Sequence, residues 1–289
     1  PRCGRRAAPG GRRRARRCAG PGAEPAMTAA AANAIVIEGL WTRYGTTSAI
    51  EDLTLAVRQD ETFGLMGRHG AGKTSLLKSV LMLVAPHAGT IRIFGEPHHL
   101  PGSRSRLAYL PERFQPPGHL LGHDFVRLTL LFHGRRAKRA ETTLLAEQLE
   151  LDPPALDRPI RCYSKGMAQK LGLLATLLTD LPVLLLDEPL SGLDPHARRL
   201  LKRQLSAYRA RGRTILLSAH IPSDHEGLCD RVAVLHQGRL RHVGPPGDLL
   251  ARHGAPTLTS AFLAEIEEPR LVGPGRSAAG QLVRGAGTT

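Results

Sequence analysis

Aromatic side chains are scarce in this chain. Phe, Tyr and Trp make up 4% of its 289 residues, so a core must be built from Leu, Val, Ile and Ala. Cysteine is scarcer still. Cys3, Cys18, Cys162 and Cys229 contain no C-x-x-C pair, which argues against a disulfide framework or a zinc ribbon and reads as free thiols in a reducing compartment. No apolar run reaches the ~18 residues that a membrane-spanning helix needs. The nearest, Leu171 to Leu186, is interrupted by Thr179-Asp180 and Pro182. Histidine is plentiful at 13, but His98-His99 and the His119/His123 pair have no acidic or cysteine cluster beside them, so a structural metal site is not expected.

Acidic residues are few relative to basic ones, giving a net charge of +15. The excess is uneven. The first 26 residues hold eight arginines and a single acid, Glu24, among Gly, Ala and Pro with no apolar periodicity. Residues 1–32 are therefore expected to be a disordered extension, and Met27 offers a natural start downstream of the basic stretch. Arginine far outnumbers lysine throughout. This points to a coding-composition bias and away from an arm selected for nucleic acid.

The middle of the chain has the grammar of an α/β protein. Residues 34–58 read as two strands joined at Tyr44-Gly45. Ile91–Phe94, Leu107–Leu110, Val183–Leu186 and Thr214–Leu217 read as further strands, the last two being unbroken apolar runs of the kind covered on both faces. Val232–Leu235 and Leu240–Val243 read as a late hairpin around Gln237-Gly238. Between about 112 and 175 the apolar spacing turns helical, over His123–His133 and Ala137–Leu149, as an insertion into the α/β frame. Beyond 262 the Gly/Ala/Arg-rich composition predicts a flexible tail.

The run Gly67-Arg68-His69-Gly70-Ala71-Gly72-Lys73-Thr74-Ser75 fits G-x-x-x-x-G-K-[ST]. A triphosphate is the ligand that needs such a loop. Its backbone N–H groups cradle phosphate oxygens, and the following helix offers its positive end. Lys73 is expected to reach the β- and γ-phosphates and the Thr74 hydroxyl to ligate Mg²⁺. The context is right: Thr62–Met66 is a short apolar strand, and Ser75–Val84 reads as a helix stopped before Pro86.

A second signal lies at Leu184–Glu188, where a buried strand ends in two carboxylates. Asp187 is placed to hold Mg²⁺, and Glu188 to orient and deprotonate an attacking water. Ser164, in Tyr163-Ser164-Lys165-Gly166-Met167, is a good N-cap for the apolar helix that follows. Ser191-Gly192-Leu193-Asp194 and Ser218-Ala219-His220 come next in order.

This ordered set resembles the nucleotide-binding subunit of an ABC transporter over roughly residues 34 to 262. The glycine loop is similar to Walker A, Leu184–Glu188 to Walker B, and Ser164–Met167 to the signature in its Tyr-Ser-Lys-Gly-Met variant. Ser191–Asp194 resembles the D-loop, His220 the switch histidine, and Tyr44 the adenine-stacking aromatic. The variant signature and Tyr109-Leu110-Pro111-Glu112 are similar to ATPases of ABC-2 type exporters.

The resemblance implies a P-loop NTPase with a RecA-like mixed sheet, an N-terminal antiparallel β subdomain and an inserted helical signature subdomain, together an ABC ATPase domain over 33–262. It implies ATP and Mg²⁺ as ligands, with the metal held by Thr74, Glu112 and Asp187. It also implies a head-to-tail dimer in which Ser164, Lys165, Gly166 and Met167 of one copy cover the nucleotide of the other. Asp194 would link the two sites, and His220 would contact the γ-phosphate. A separately encoded membrane permease would be the partner, on the cytoplasmic face of the plasma membrane, with no nucleic acid. The sequence departs from the family at Glu112, where glutamine is usual, and at Lys165 and Met167 of the signature. The rival reading is a soluble ABC-type ATPase acting on nucleic acid or ribosomes. It fits less well, because only one nucleotide unit is present and just 52 positions separate Glu112 from Ser164.

Overall fold

The computed structural model describes residues 32–268. The expectations for the N-terminal extension, the start at Met27 and the end of the tail lie outside that range.

The chain opens with an antiparallel pair, β1 (Asn33–Tyr44) and β2 (Thr47–Arg58), followed by β3 (Thr62–Met66), α1 (Lys73–Val80), β4 (Ala88–Ile93), β5 (Glu96–Pro97), α2 (Pro101–Arg104) and β6 (Leu107–Leu110). The insertion contributes α3 (Gly122–Phe132), α4 (Arg139–Gln148) and, after two 3₁₀ turns, α5 (Lys165–Leu178). Then come β7 (Val183–Asp187), α6 (Pro195–Arg209), β8 (Thr214–Ala219), the hairpin β9 (Arg231–His236) and β10 (Arg239–Gly244), and two closing helices, α7 (Pro246–His253) and α8 (Leu258–Glu267).

Two sheets result. One is antiparallel, in the order β2-β1-β4-β5. The other runs β10-β9-β3-β8-β7-β6 and is parallel except for β10, which pairs antiparallel with β9. This is the mixed sheet that the sequence predicted. The hairpin turn falls at Gln237 (φ 49°) and Gly238 (φ 74°), the double left-handed turn that matches strand twist.

Strand alternation distributes the core. From β7, Val183 and Leu185 face a layer containing α1 and the antiparallel sheet, packed with Leu76, Leu77, Val80, Ile37 and Ile91. Leu184 and Leu186 face the opposite layer, with Leu171, Leu174, Leu201, Leu205 and Tyr208 from α5 and α6 and Val126 and Leu130 from α3. A smaller third cluster seats α7 and α8 through Leu249, Leu258, Ala261 and Phe262 against Met66, Val232 and Val234. The inserted helices thus share a continuous core with the α/β frame.

Two boundaries differ from expectation. The first helix does not run to Val84. It ends at Val80, because Met82 adopts φ 59° and the Met82 and Leu83 N–H groups donate back to Ser79 O (3.0 Å) and Lys78 O (2.9 Å). That is a Schellman close with methionine in the seat usually held by glycine, so composition gave no stop signal. The limit expected at 262 falls inside α8, whose start is set by a Thr257–Ser260 capping box.

Gly64 explains a position that its strand leaves puzzling. It sits mid-sheet in β3, between Leu217 and Val232, where glycine is weakening in itself. A Cβ there would lie 2.2 Å from His225 Cδ2 and 2.9 Å from Cys229 Sγ. His225 is completely buried, and burial pushes its imidazole down to about 4, so the neutral ring fills the space above Gly64. Gly64→Ala should cost about 2 kcal/mol by overpacking, a fall in Tm of about 5 °C for a chain of this size. Thermal unfolding followed by circular dichroism checks this; an unchanged Tm would show that the ring yields freely.

Candidate functional site

The glycine loop joins β3 to α1 at the carboxyl edge of the mixed sheet. Gly70 (φ 79°) and Gly72 (φ 107°) take left-handed conformations. At Gly72 the need is double, since a Cβ would also lie 2.5 Å from Ala49 O. The loop is tied down from below by Gly238 N donating to Ala71 O at 3.0 Å. It closes over a cavity of about 190 Å³ lined by Tyr44, Ala49, residues 68–75, Glu112 and Glu188. Tyr44, at the end of β1, is 47% exposed on the cavity wall.

Lys73 is the first residue of α1 and is only 5% exposed. Its Nζ donates to Gly67 O (2.7 Å) and Arg68 O (3.3 Å), and it forms an ion pair with Glu188 Oε1 at 3.2 Å. A buried ammonium ringed by loop carbonyls and one carboxylate is a positive centre at the floor of a small polar cavity.

The two carboxylates after β7 have different environments. Asp187 pairs in register with Ser218 of β8. The Ser218 hydroxyl donates to Asp187 Oδ1 at 2.6 Å, and the Thr74 hydroxyl donates to Oδ2 at 2.8 Å. Burial raises the Asp187 carboxyl above its ordinary value. The two hydroxyl hydrogen bonds oppose the rise, and the charges of Glu188 and Glu112 add to it. Glu188 has left the strand, at φ 51°, a conformation that costs a non-glycine residue of order 1 kcal/mol and turns the side chain toward the loop. Its N–H donates to Ser218 Oγ at 3.0 Å. Its Oε2 accepts from the His220 backbone N–H (3.1 Å) and faces His220 Nδ1 at 2.7 Å. Because a carboxylate only accepts, that contact places the proton on Nδ1. Burial alone would raise Glu188, but the His220 hydrogen bond and the Lys73 charge outweigh it and hold the carboxyl below its ordinary value. The His220 ring packs on His69 of the loop with centroids 4.8 Å apart.

The fold therefore gathers the glycine loop, Lys73, Thr74, Glu112, Asp187, Glu188 and His220 at the carboxyl edge of the mixed sheet, with Tyr44 of the antiparallel sheet closing the cavity wall. It does not bring the signature residues there. Ser164 caps α5, accepting from Met167 N at 3.2 Å, and Ser164 and Lys165 are exposed, but none of 164–167 lines the cavity. Asp194 also lies outside it and caps α6, accepting from His196 N (2.9 Å) and Ala197 N (3.0 Å). The sequence shows Ser218 only as part of Ser218-Ala219-His220 and gives it no role of its own. Its one signal was a serine at the end of an apolar run, Thr214–Leu217. Oxygen donors dominate the site, a set suited to a hard cation such as Mg²⁺. No group of three or more His, Cys, Asp or Glu side chains among the described residues forms a closed metal cage, so such a cation would take its remaining ligands from phosphate and water.

A strand–glycine loop–helix unit, with an acid-terminated parallel strand one place removed in the same sheet, defines the class of P-loop ATPases. The chain belongs to the ABC transporter family, as an ATP-binding subunit with ATPase activity. The ABC transporter family model matches residues 50–191. The Nod factor export ATP-binding protein I of Paraburkholderia xenovorans is 40% identical over 72% of this chain and 69% of its own length. Its counterpart in Ralstonia nicotianae is 37% identical over 74% and 68%. A solved structure described as the ATP binding subunit of an ABC transporter superposes with a TM-score of 0.73 at 29% identity, covering 80% of this chain and 98% of that one. No helix among the described residues is long and apolar enough to cross a membrane.

Proposed function

We propose that two copies of this chain close head to tail on two ATP molecules and that the closing and reopening drive a separately encoded permease in the direction of export. The observation that carries this reading is the separation within one chain. The cavity has a glycine loop, a buried lysine and a buried glutamate. The second anion-binding element, the exposed α5 N-terminus with Ser164 and Gly166, lies outside it. An isologous arrangement supplies each cradle with the other copy's α5.

Within each site, Lys73 leaves Glu188 to hold the β- and γ-phosphates. Glu188, kept ionised by His220, then orients and deprotonates the water. The partner copy's α5 N-terminus neutralises charge spread over the transferred group, and His220 adds to this only when Nε2 carries a proton as well as Nδ1. Thr74, Asp187 and Glu112 would hold Mg²⁺, which supplies Lewis-acid stabilisation of that charge. Tyr44 offers its ring to adenine, and Asp194, rigid as an N-cap, ties one site to the other. The export direction rests on the likeness to proteins named for Nod factor export.

Complementation tests the shared site. Lys73→Ala chains and Ser164→Arg chains are each expected to be inactive alone. Mixed, they should regain ATPase turnover, because each mixed pair contains one complete site. If the mixture stays as inactive as its components while both variants are folded and associate, the shared site is wrong.

A further inference from the structure

α6 presents two unlike sides. Ala197, Leu201, Leu205 and Tyr208 are buried, while Arg199 and Arg203, one turn apart, are exposed. Two concavities meet along the helix. The larger, about 810 Å³, is lined by Arg198, Arg199, Lys202 and Arg203. The smaller, about 340 Å³, has Leu144, Leu145, Leu177 and Leu178 in its wall. They share Gln148, Gln204 and Ala207, so they form one groove between α4 and α6, with unopposed basic side chains at one end and, at the other, four leucines set among Arg135, Glu141, Asp180 and Arg211. It shares no residue with the nucleotide cavity.

The carboxylates of the groove are already committed. Asp224 binds Arg198 at 2.9 Å, Asp180 binds Arg213 at 3.0 Å and Arg211 at 3.3 Å, and Glu141 lies 3.8 Å from Lys138. Lys202 donates to the Ser223 and Glu226 carbonyls. Arg199 hydrogen-bonds only the imidazole of His196, and Arg203 has no carboxylate within ion-pairing distance among the described residues. Two guanidinium groups on neighbouring turns are left facing solvent without an acid, beside an apolar recess that includes the 57% exposed Leu144.

We propose that this groove docks an acidic segment of a partner protein, with carboxylates on Arg199 and Arg203 and one large apolar side chain against Leu144. Guanidinium forks match carboxylates in a bidentate way, and a charged run with a single apolar anchor fits a groove of two characters. Nucleic acid fits poorly, because no aromatic side chain lines either concavity to stack a base. A bilayer is too flat to reach Leu177, which is buried in the recess wall. A free phosphate would fill the basic end and leave the apolar end open.

Fluorescence anisotropy on the whole chain tests the proposal. The probe is a labelled peptide of about twelve residues, glutamates around a single central Phe. It should bind at low salt and be released as salt rises. The double variant Arg199→Glu/Arg203→Glu should weaken binding at least about tenfold. Leu144→Ser, or a peptide without the Phe, should weaken it by a smaller factor, about threefold. All these positions lie away from the nucleotide cavity, so ATPase turnover should stay at the wild-type level and report that the variants are folded. The proposal is overturned if wild-type protein does not bind the peptide, or if charge reversal leaves binding unchanged. It is equally overturned if labelled oligothymidylate or phosphatidylglycerol vesicles bind more tightly than the peptide and lose that binding in the same variant.

Discussion

Glu188→Gln is expected to bind ATP with near-wild-type affinity and to hydrolyse it at least about 10³-fold more slowly, the scale of losing a positioned general base. The amide is isosteric and keeps an oxygen for the His220 backbone N–H, which donates at 3.1 Å. The fold around β7 and β8 should therefore survive. What is lost is a carboxylate that a buried lysine and a histidine hold ionised. Nucleotide should then persist in the closed pair, seen as a long-lived dimer by size exclusion in ATP. Steady-state ATPase close to wild type would remove Glu188 from the proton-transfer step.

The same carboxylate is expected to set a pH limb. Its pKa is depressed in the folded protein, so the catalytically competent ionised form persists below the pH at which an ordinary glutamate protonates. Its contribution to stability is present above the unfolded-state value and is lost as pH falls through the lower folded value. The acid limb of kcat/KM, which reports the free enzyme, should accordingly lie below the ordinary glutamate range. His220→Ala, by removing the hydrogen bond that opposes burial, should move that limb upward.

Much of this site was legible in the sequence because its parts are chemically narrow. A loop with left-handed residues at Gly70 and Gly72 admits little besides glycine. A strand ending in Asp187-Glu188 delivers both carboxylates to the sheet edge whatever the rest of the chain does. What was not legible depends on tertiary partners. Ser218 matters because β8 lies in register with β7, and a single sequence does not state register. Gly64 looks like a flaw in a strand until His225, far along the chain, is seen packed over it. The stop of α1 at Val80 uses a methionine where composition would look for glycine. α7 and α8 were missed for a related reason: their packing depends on Met66, Val232 and Val234 from strands distant in sequence. The dual character of Asp194 also escaped the sequence, since one carboxylate serves as the α6 N-cap and as the candidate link between sites.

Lys73→Ala should lower ATP affinity by about 10²-fold, the worth of a charge-assisted contact of about 1.5–3 kcal/mol to a phosphate. Two effects act together. The cavity loses its positive centre, and Glu188 loses its ion-pair partner while staying 4% exposed, so a triphosphate would enter beside an uncompensated carboxylate. The second effect has its own signature. Stranding one member of a buried pair is costly in the empty protein too, so Lys73→Ala should also unfold at lower temperature. Adding Glu188→Gln removes the stranded charge and should restore part of that stability without restoring ATP affinity. A double-mutant cycle read by thermal unfolding and by fluorescent-nucleotide titration separates the two effects. Lys73→Arg should not rescue binding, because Nζ fits between the Gly67 and Arg68 carbonyls as a compact point donor and a planar guanidinium does not. ATP affinity unchanged in Lys73→Ala would mean that the cradle binds triphosphate through backbone N–H groups alone, and that the lysine belongs to the architecture of Glu188 and not to the ligand.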